Sequence, residues 1–320
     1  MPPITRRAFL ATSSSCAGHL ALAAFGTPLL RRLQWTPVRG QVVAAEPFGR
    51  LEKVAEGVWA LISTPLTGDR TTLSNGGLIA GRGGVLAIEG FNQPEGARWL
   101  AERSKELTGR WPTHVVVTHY HSDHSNGVQG YLTGGEHPAL HSTAATRDLV
   151  IARNLPAVAE RTAALRDAQT LDPAQTTTVD LGDRRVLVRP AGGHTPSDVT
   201  LELADPQVMF CGDLMWNAMF PNYVDAAPSL LARSARALRR AKGTSYVPGH
   251  GALANEADLD RYLAMLDEIE HAARDAHAKG IDAATAGAAY QLPASLGEWT
   301  LFNKVFFERA FGAWNRELGG

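Results

Sequence analysis

Four potential metal ligands lie within six consecutive residues near the middle of the chain. Residues 119–124 read H-Y-H-S-D-H, which places three imidazoles and one carboxylate close together. A short β-branched stretch at residues 115–118 precedes this segment and predicts a buried strand. Because a rigid strand fixes the loop that follows it, side chains in this position are well placed for catalysis. The pattern predicts a metal site whose first candidate ligands are His119, His121, Asp123 and His124.

Three more potential ligands follow short apolar stretches later in the chain. His194 lies in a G-H-T-P-S-D segment, Asp213 in C-G-D, and His250 in P-G-H-G. A glycine beside each of these donors lets the backbone and a ligand approach closely. A single loop histidine is more often incidental than a ligand. Four such loops in series instead predict that their side chains converge at one edge of a sheet structure.

Alternating strands and amphipathic helices are predicted to position these loops. Strands are expected at residues 54–63, 77–88 (with a hairpin turn at 81–84), 115–118, 186–189, 199–203, 208–211 and 244–247. Helices are expected to begin at Pro94 and Pro228, to occupy residues 256–279, and to form two segments within 144–169 that Pro156 separates. The simplest interpretation is one domain of two β/α halves with a helical C-terminal extension.

The composition is that of a globular protein and gives no sign of a basic surface that would bind polyanions. The 320 residues carry a formal net charge of −1, and the pI is about 6.8. No basic nucleic-acid footprint is present, and no stretch beyond the N-terminal segment is long and apolar enough to span a bilayer. We therefore expect a small-molecule substrate, no nucleic acid, and no stable membrane anchor in the mature form.

Residues 1–45 are predicted to be an export signal and leader, which leaves residues 46–320 as the domain. The segment T-R-R-A-F-L at residues 5–10, followed by an Ala/Ser/Leu-rich stretch, resembles a twin-arginine signal. An ordinary secretory signal is the alternative. Cleavage after Ala45 is favoured over cleavage after Ala23, because a different composition begins at residue 46. The protein is expected in the periplasm or outside the cell, with Cys211 as its one thiol.

The ordered motifs H-x-H-x-D-H, G-H-T-P-S-D, C-G-D and P-G-H-G resemble those of the metallo-β-lactamase-fold hydrolase superfamily. The resemblance spans roughly residues 51–251. It implies an α/β fold, an αβ/βα sandwich of two facing mixed β-sheets with outer helices and a metal site at one end. The ligand set it implies is His119, His121 and His194 for one metal ion, Asp123, His124 and His250 for a second, and Asp213 as the bridge.

The chemistry of the donors agrees with two zinc ions per chain. All seven offer nitrogen or oxygen and none offers a thiolate, which suits Zn²⁺ but also admits Fe or Mn. Two such ions can share a water, lower its pKa towards ~7 and polarise a carbonyl or phosphoryl oxygen. Asp123 is also predicted to be catalytic, by orienting that water or accepting its proton. A structural zinc site closes with four ligands, and seven donors exceed that need.

Several other residues have a plain interpretation beside a functional one. Cys211 is expected to be a buried strand residue. Thr195, Ser197 and Asp198 either orient His194 or only cap a turn. The Met- and aromatic-rich segment at residues 215–223 forms either an apolar substrate wall or part of the core. Three residues of that region are candidates for contact with a substrate oxyanion: Asn217, Asn222 and Tyr223.

The leading functional hypothesis is an exported dinuclear zinc hydrolase that cleaves an ester, thioester, lactone or amide-type bond. Weak or promiscuous β-lactamase activity is an alternative. The dedicated zinc β-lactamases carry Cys or Ser where this chain has Asp213, and many have Lys where it has Trp216. An iron-dependent sulfur oxygenase is a further hypothesis, and a non-catalytic periplasmic metal-binding accessory protein is another. Length, signal and C-terminus resemble the periplasmic subgroup associated with quinoprotein and sulfur-oxidation gene clusters.

Overall fold

The computed structural model describes residues 40–133 and 137–319. Two mixed β-sheets form its centre. The first sheet has eight strands in chain order, antiparallel up to β5 and parallel from β5 onwards. They are β1 (Gln41–Glu46), β2 (Gly49–Ala55), β3 (Val58–Ser63), β4 (Gly76–Ala80), β5 (Val85–Ile88), β6 (His114–Val116), β7 (Ala139–Thr143) and β8 (Gln169–Leu171).

The second sheet has five strands in the order β13-β12-β11-β10-β9. Its pairs are antiparallel except β12 with β13, which is parallel. The sheets lie face to face, because a Cβ added to Gly77 of β4 would meet the ring of Phe210 of β12 at 2.6 Å. The strands are β9 (Thr177–Asp180), β10 (Arg185–Pro190), β11 (Val199–Leu203), β12 (Val208–Asn217) and β13 (Ser245–Gly251).

Helices cover the outer faces of both sheets. Helix α1 packs on β4 and β5, while α6 packs on β12 and against α5 and α8. None of the helices in the described ranges is long and apolar enough to cross a membrane. The helices are α1 (Pro94–Thr108), α2 (Ser122–Ser125), α3 (Ala144–Arg153), α4 (Ala159–Arg166), α5 (Pro228–Arg236), α6 (Glu256–Ala278), α7 (Ala283–Ala289) and α8 (Val305–Leu318).

Local sequence accounts for the limits of the two main packing helices. Pro94 opens α1, and Gly109 closes it in the left-handed conformation with its N–H bonded to the Lys105 carbonyl. Asn255 and Asp258 form a capping box at the start of α6. Each helix then buries one apolar face in a separate core, which fixes the sheets that carry the functional loops.

The structure confirms the expected α/β sandwich of two mixed sheets with outer helices. Two details of the strand prediction are wrong. A turn at Gly57 divides the strand expected at residues 54–63, and β12 and β13 run on through Asp213 and His250 instead of ending before them. The predicted export signal lies mostly outside the described residues. Its boundary at residue 45 falls inside β1.

Candidate metal centre

The seven predicted ligands all lie at one edge of the two sheets. His119 and His121 follow β6, and Asp123 and His124 lie on the short helix α2. The other three come from the second sheet: His194 from the loop between β10 and β11, Asp213 from β12, and His250 from β13. Backbone contacts tie the two sheets together here, because Val199 N–H donates to the Thr118 carbonyl at 3.0 Å. The expected convergence of the four segments is thus present.

The donors form two groups that could each hold a metal ion. Within each group the ligand atoms lie within 4.8 Å of one another. In the first, His121 Nδ1 is 3.2 Å from His119 Nε2 and 3.0 Å from His194 Nε2. The first group is His119, His121, His194 and Asp213, and the second is Asp123, His124 and His250.

Asp213 connects the two groups through its two carboxylate oxygens. Oδ2 faces the first group, 3.1 Å from His194 Nε2. Oδ1 faces the second group, 3.2 Å from His124 Nε2 and 3.5 Å from His250 Nε2. Asp123 Oδ2 completes that second group at 3.3 Å from His250 Nε2. One carboxylate therefore presents one oxygen to each group, as a bridging ligand must.

Several buried atoms of the donor cluster have no hydrogen-bond partner that would compensate for their burial. His124 Nε2, Asp213 Oδ1 and His250 Nε2 are buried close together without hydrogen-bond geometry to any described group. A buried polar atom without a partner costs about 1–3 kcal/mol, so a concentration of them is not expected in a closed protein core. Nitrogen and oxygen donors that converge at 3–4 Å but do not bond one another fit a shared cation.

The charges within the cluster keep its carboxylates ionised. Burial alone would raise the pKa of Asp213, but His250 and His124 outweigh it and hold that pKa well below its usual value. Burial likewise opposes the charged form of His250, yet the nearby carboxylates raise its pKa to about 9. Both carboxylates of the cluster, Asp123 included, are therefore available as anionic ligands near neutral pH.

Glu89 supports the second group and has no motif in the sequence to mark it. Its buried carboxylate lies 3.0 Å from His124 Nδ1 and accepts a 2.5 Å hydrogen bond from the Thr118 hydroxyl. Thr118 Oγ1 in turn lies 3.0 Å from His119 Nδ1. An outer carboxylate that binds the second ring nitrogen fixes the orientation and tautomer of a metal-binding histidine.

Asp225 plays the corresponding part for the first group. Its Oδ2 is 3.0 Å from His121 Nε2 and accepts a hydrogen bond from the Tyr120 hydroxyl. The Arg153 guanidinium lies 3.4 Å from the other oxygen of Asp225. Sequence reasoning also missed this residue, because Asp225 lies 104 positions from His121 and only the fold brings the two together.

The neighbours of His194 cap a turn and do not contact its ring. The Asp198 carboxylate accepts the N–H of His194 at 3.0 Å and the Thr195 hydroxyl at 2.5 Å. The Ser197 hydroxyl instead pairs with Thr146 Oγ1 at 2.9 Å. Of the two interpretations of this segment, the structure supports the capping role.

A cleft of about 400 Å³ opens onto the donor cluster. Four donors reach it, and Arg70, Ser122, Asn154 and Asn222 add polar groups around them. Apolar side chains make up the rest of its lining: Pro65, Leu73, Trp216, Val224, Phe302 and Phe306. A cleft with convergent polar groups and apolar walls is the usual form of a small-molecule site.

The segment at residues 215–223 divides between core and cleft. Met215, Phe220 and Tyr223 are buried in the core that contains α6 and α8. Trp216 belongs to the same core but also lines the cleft, as does Asn222. Among the candidates for an oxyanion contact, Asn217 instead donates to the carbonyls of residues 252 and 253, and Tyr223 is only 1% exposed. Only Asn222 remains in reach of a ligand.

Comparison with known proteins places these motifs in a family. The family model described as the metallo-beta-lactamase superfamily matches residues 70–250. A hydroxyacylglutathione hydrolase of Hahella chejuensis is 27% identical over 152 residues, which cover 47% of this chain and 50% of that protein. The chain thus spans about half the length of this curated relative.

Solved structures share the fold at low sequence identity. A metallo-beta-lactamase from Erythrobacter litoralis is 21% identical with a TM-score of 0.57, over 70% of this chain and 99% of its own. The stereoselective inverting sec-alkylsulfatase of a Pseudomonas species is 14% identical with a TM-score of 0.66, over 89% of this chain and 58% of its own. These likenesses concern the fold alone.

Proposed function

Because the chain belongs to the metallo-beta-lactamase superfamily, we propose that it is a hydrolase that uses two zinc ions. The observation that carries this proposal is the position of Asp213. Its carboxylate lies between two separate groups of donors and offers one oxygen to each. The first ion would be held by His119, His121 and His194, the second by Asp123, His124 and His250, with Asp213 shared between them.

Each part of the cleft has a defined task in the proposed reaction. When bound, the two ions would supply a water of lowered pKa and polarise the scissile carbonyl. Asp123 is the more accessible carboxylate of the cluster, with 23% of its side chain exposed against 3% for Asp213. Its carboxylate therefore orients the attacking water and accepts its proton.

Asn222 is the proposed donor to the oxyanion. Its Oδ1 already accepts hydrogen bonds from Arg309 at 3.0 Å and from the Val224 N–H at 3.2 Å. These contacts fix the orientation of the amide and leave its Nδ2 end as the donor for a ligand in the cleft. A preorganised donor of this kind stabilises the charge that develops on the carbonyl oxygen during attack.

We propose an ester or thioester of a small molecule as the substrate. The relative named as a hydroxyacylglutathione hydrolase supports this choice. The dedicated zinc β-lactamases differ from this chain at Asp213 and Trp216, which makes β-lactam hydrolysis a side activity at most. A complete second donor group is more than an iron-dependent oxygenase with one metal requires. Export by the N-terminal signal is also part of this proposal.

Metal analysis combined with an activity panel tests the proposal. The full chain, purified and assayed against lactam, lactone, ester and thioester substrates, should contain about two zinc ions and cleave the esters or thioesters. Asp123→Ala should lower activity at least about a hundredfold. An iron-loaded protein, or a zinc-loaded protein without turnover of any substrate in the panel, would instead support the oxygenase or the accessory role. Full activity of Asp123→Ala would exclude the assigned role of Asp123.

A further inference from the structure

One side of the cleft is built from aromatic rings, which we call the aromatic wall: Trp216, Phe302 and Phe306. The Trp216 ring lies 6.0 Å from Phe302 and 6.5 Å from Phe306 between centroids, and the two phenylalanines are 6.2 Å apart. The wall adjoins the metal donors directly, because the Trp216 ring lies 3.9 Å from that of His250. A ligand at the second donor group therefore also meets this wall.

Two of the three rings come from outside the part of the chain that the family model matches. That match ends at residue 250, whereas Phe302 and Phe306 lie just before and within α8. Backbone hydrogen bonds fix the segment in place: Thr300 N–H donates to the Ala218 carbonyl, and Phe220 N–H donates to the Thr300 carbonyl, both at 2.9 Å. The wall is thus an addition by this chain's own C-terminal segment.

Within the wall, Phe302 and Phe306 keep open surface, whereas Trp216 is only 3% exposed. Phe302 and Phe306 are only half-buried, although each lies next to other aromatic rings. Val224 lines the cleft and is 41% exposed. Apolar surface in the cleft therefore extends from the two half-buried phenylalanine rings to the exposed side chain of Val224.

Resting on the hydrolase function proposed above, we infer that the enzyme selects substrates with an extended apolar chain beside the scissile bond. The apolar chain of the substrate lies against the rings of Phe302 and Phe306 and extends past Val224 towards the solvent. Burial of its methylene groups against the rings removes apolar surface from water and supplies the binding energy. A short acyl group reaches the donors but leaves the wall exposed. The longer substrate is preferred for that reason.

A matched pair of esters measures this preference. With the zinc-loaded enzyme, kcat/KM for p-nitrophenyl octanoate should exceed that for p-nitrophenyl acetate at least about tenfold. Phe302→Ala and Phe306→Ala should each lower the octanoate-to-acetate ratio about tenfold. Phe307→Ala is the matched control. The Phe307 ring lies on α8 next to Phe306 but packs on Phe220 and Tyr290, outside the cleft. Its loss should therefore not change the ratio.

Calorimetry measures the binding of octanoate and acetate, and so tests the wall independently of turnover. Tighter binding of octanoate that Phe302→Ala abolishes, without turnover of any substrate in the panel above, would support the wall and overturn the hydrolase proposal. Hydrolysis with an unchanged ratio in Phe302→Ala and Phe306→Ala would overturn the wall and leave the hydrolase proposal intact. Thermal unfolding and zinc content of each variant show whether a changed ratio comes from the altered cleft or from a loss of folding or of metal. A ratio that falls equally in Phe307→Ala counts against the inference.

Discussion

The donor cluster and the aromatic wall meet in one cleft but are built in different ways. The donor cluster consists of polar side chains from four segments of the two sheets, and two outer carboxylates hold two of its histidines in place. The aromatic wall consists of three rings, two of which the C-terminal segment delivers. Charges and hydrogen bonds fix the first region. Contacts between rings, together with the backbone hydrogen bonds of Thr300, fix the second.

This difference separates two aspects of the proposed reaction. The donor cluster determines whether a bond can be hydrolysed, because it holds the groups that would activate water. The aromatic wall determines which substrate brings its bond to that water. Changes in the donor cluster should therefore affect metal binding and all substrates alike, whereas changes in the wall should alter the ratio between substrates.

The largest effect is expected for Asp213→Asn. The amide keeps the shape of the side chain but removes the negative charge between four histidines, so zinc binding should fail and kcat/KM should fall on the order of a thousandfold for every substrate. Elemental analysis and steady-state kinetics measure both quantities. Asp148→Asn, at a side chain that is 65% exposed, is the control for an Asp-to-Asn change. Retention of two zinc ions by Asp213→Asn would contradict the bridging role.

Glu89→Gln should have the next largest effect. The substitution weakens the contact to His124 Nδ1 while keeping a group that can accept the Thr118 hydroxyl. We expect zinc affinity to fall about ten- to hundredfold, as is usual for the loss of an outer partner. Competition with a chelator measures this affinity. The ratio between the octanoate and acetate esters should not move, and a shift in that ratio would break the separation between the two regions.

Trp216→Leu examines the point at which the two regions meet. Its ring belongs to the wall but also lies 3.9 Å from the His250 ring, tilted by 34°. We expect the octanoate-to-acetate ratio to fall about tenfold, because Phe302 and Phe306 lose the buried ring beside which they pack, while zinc content stays the same. Elemental analysis beside the ester kinetics distinguishes the two regions. A loss of zinc would show that Trp216 also positions His250, and the two regions would then not be separable at this ring.

Removal of the metal should give a smaller effect, visible in the pH dependence of stability. The pKa of His250 is raised from 6.5 to about 9 in the metal-free fold, and that of His124 is raised as well. A histidine whose pKa is raised by folding stabilises the fold fully at a pH below its pKa in the unfolded chain. This stabilisation is lost as the pH rises through its pKa in the folded protein. The Tm of the chelated protein should therefore fall by several degrees between pH 6.5 and pH 9.

Thermal scans of chelated and zinc-loaded protein test this slope. The zinc-loaded protein should lack it, because metal-binding histidines are already deprotonated. Chelated Phe302→Ala should retain it, since the wall contains no titrating group. A chelated protein whose Tm stays level or rises over this range would contradict the assigned charges of the donor cluster.

The donor cluster could be predicted from sequence because each donor has a local signal. A run of histidines after a β-branched strand, or a glycine beside a donor, is visible within a few residues. The same local patterns predicted strand β11 at its observed limits and the proline start of α1. The confirmed two-sheet fold followed from the resemblance that these motifs carry. Its two β/α halves followed from the alternation of strands and helices.

The supporting residues and most of the wall could not be predicted in this way. Glu89 sits at the end of a strand with a φ of 76°, and nothing in its neighbourhood marks it as a partner of His124. Phe302 and Phe306 look like ordinary apolar residues of a C-terminal helix. Their position depends on packing between distant segments, and periodicity does not encode which distant segments meet.

The way in which Thr300 attaches the wall bears on how such enzymes diversify. The two hydrogen bonds that join it to residues 218 and 220 use only backbone atoms, so they place no demand on the side chains they connect. The rings carried by this segment can therefore be exchanged by single-codon changes while its backbone anchor stays intact. For protein engineering, residues 302 and 306 are the natural positions for a saturation library, in which new specificities can be sought without rebuilding the metal site.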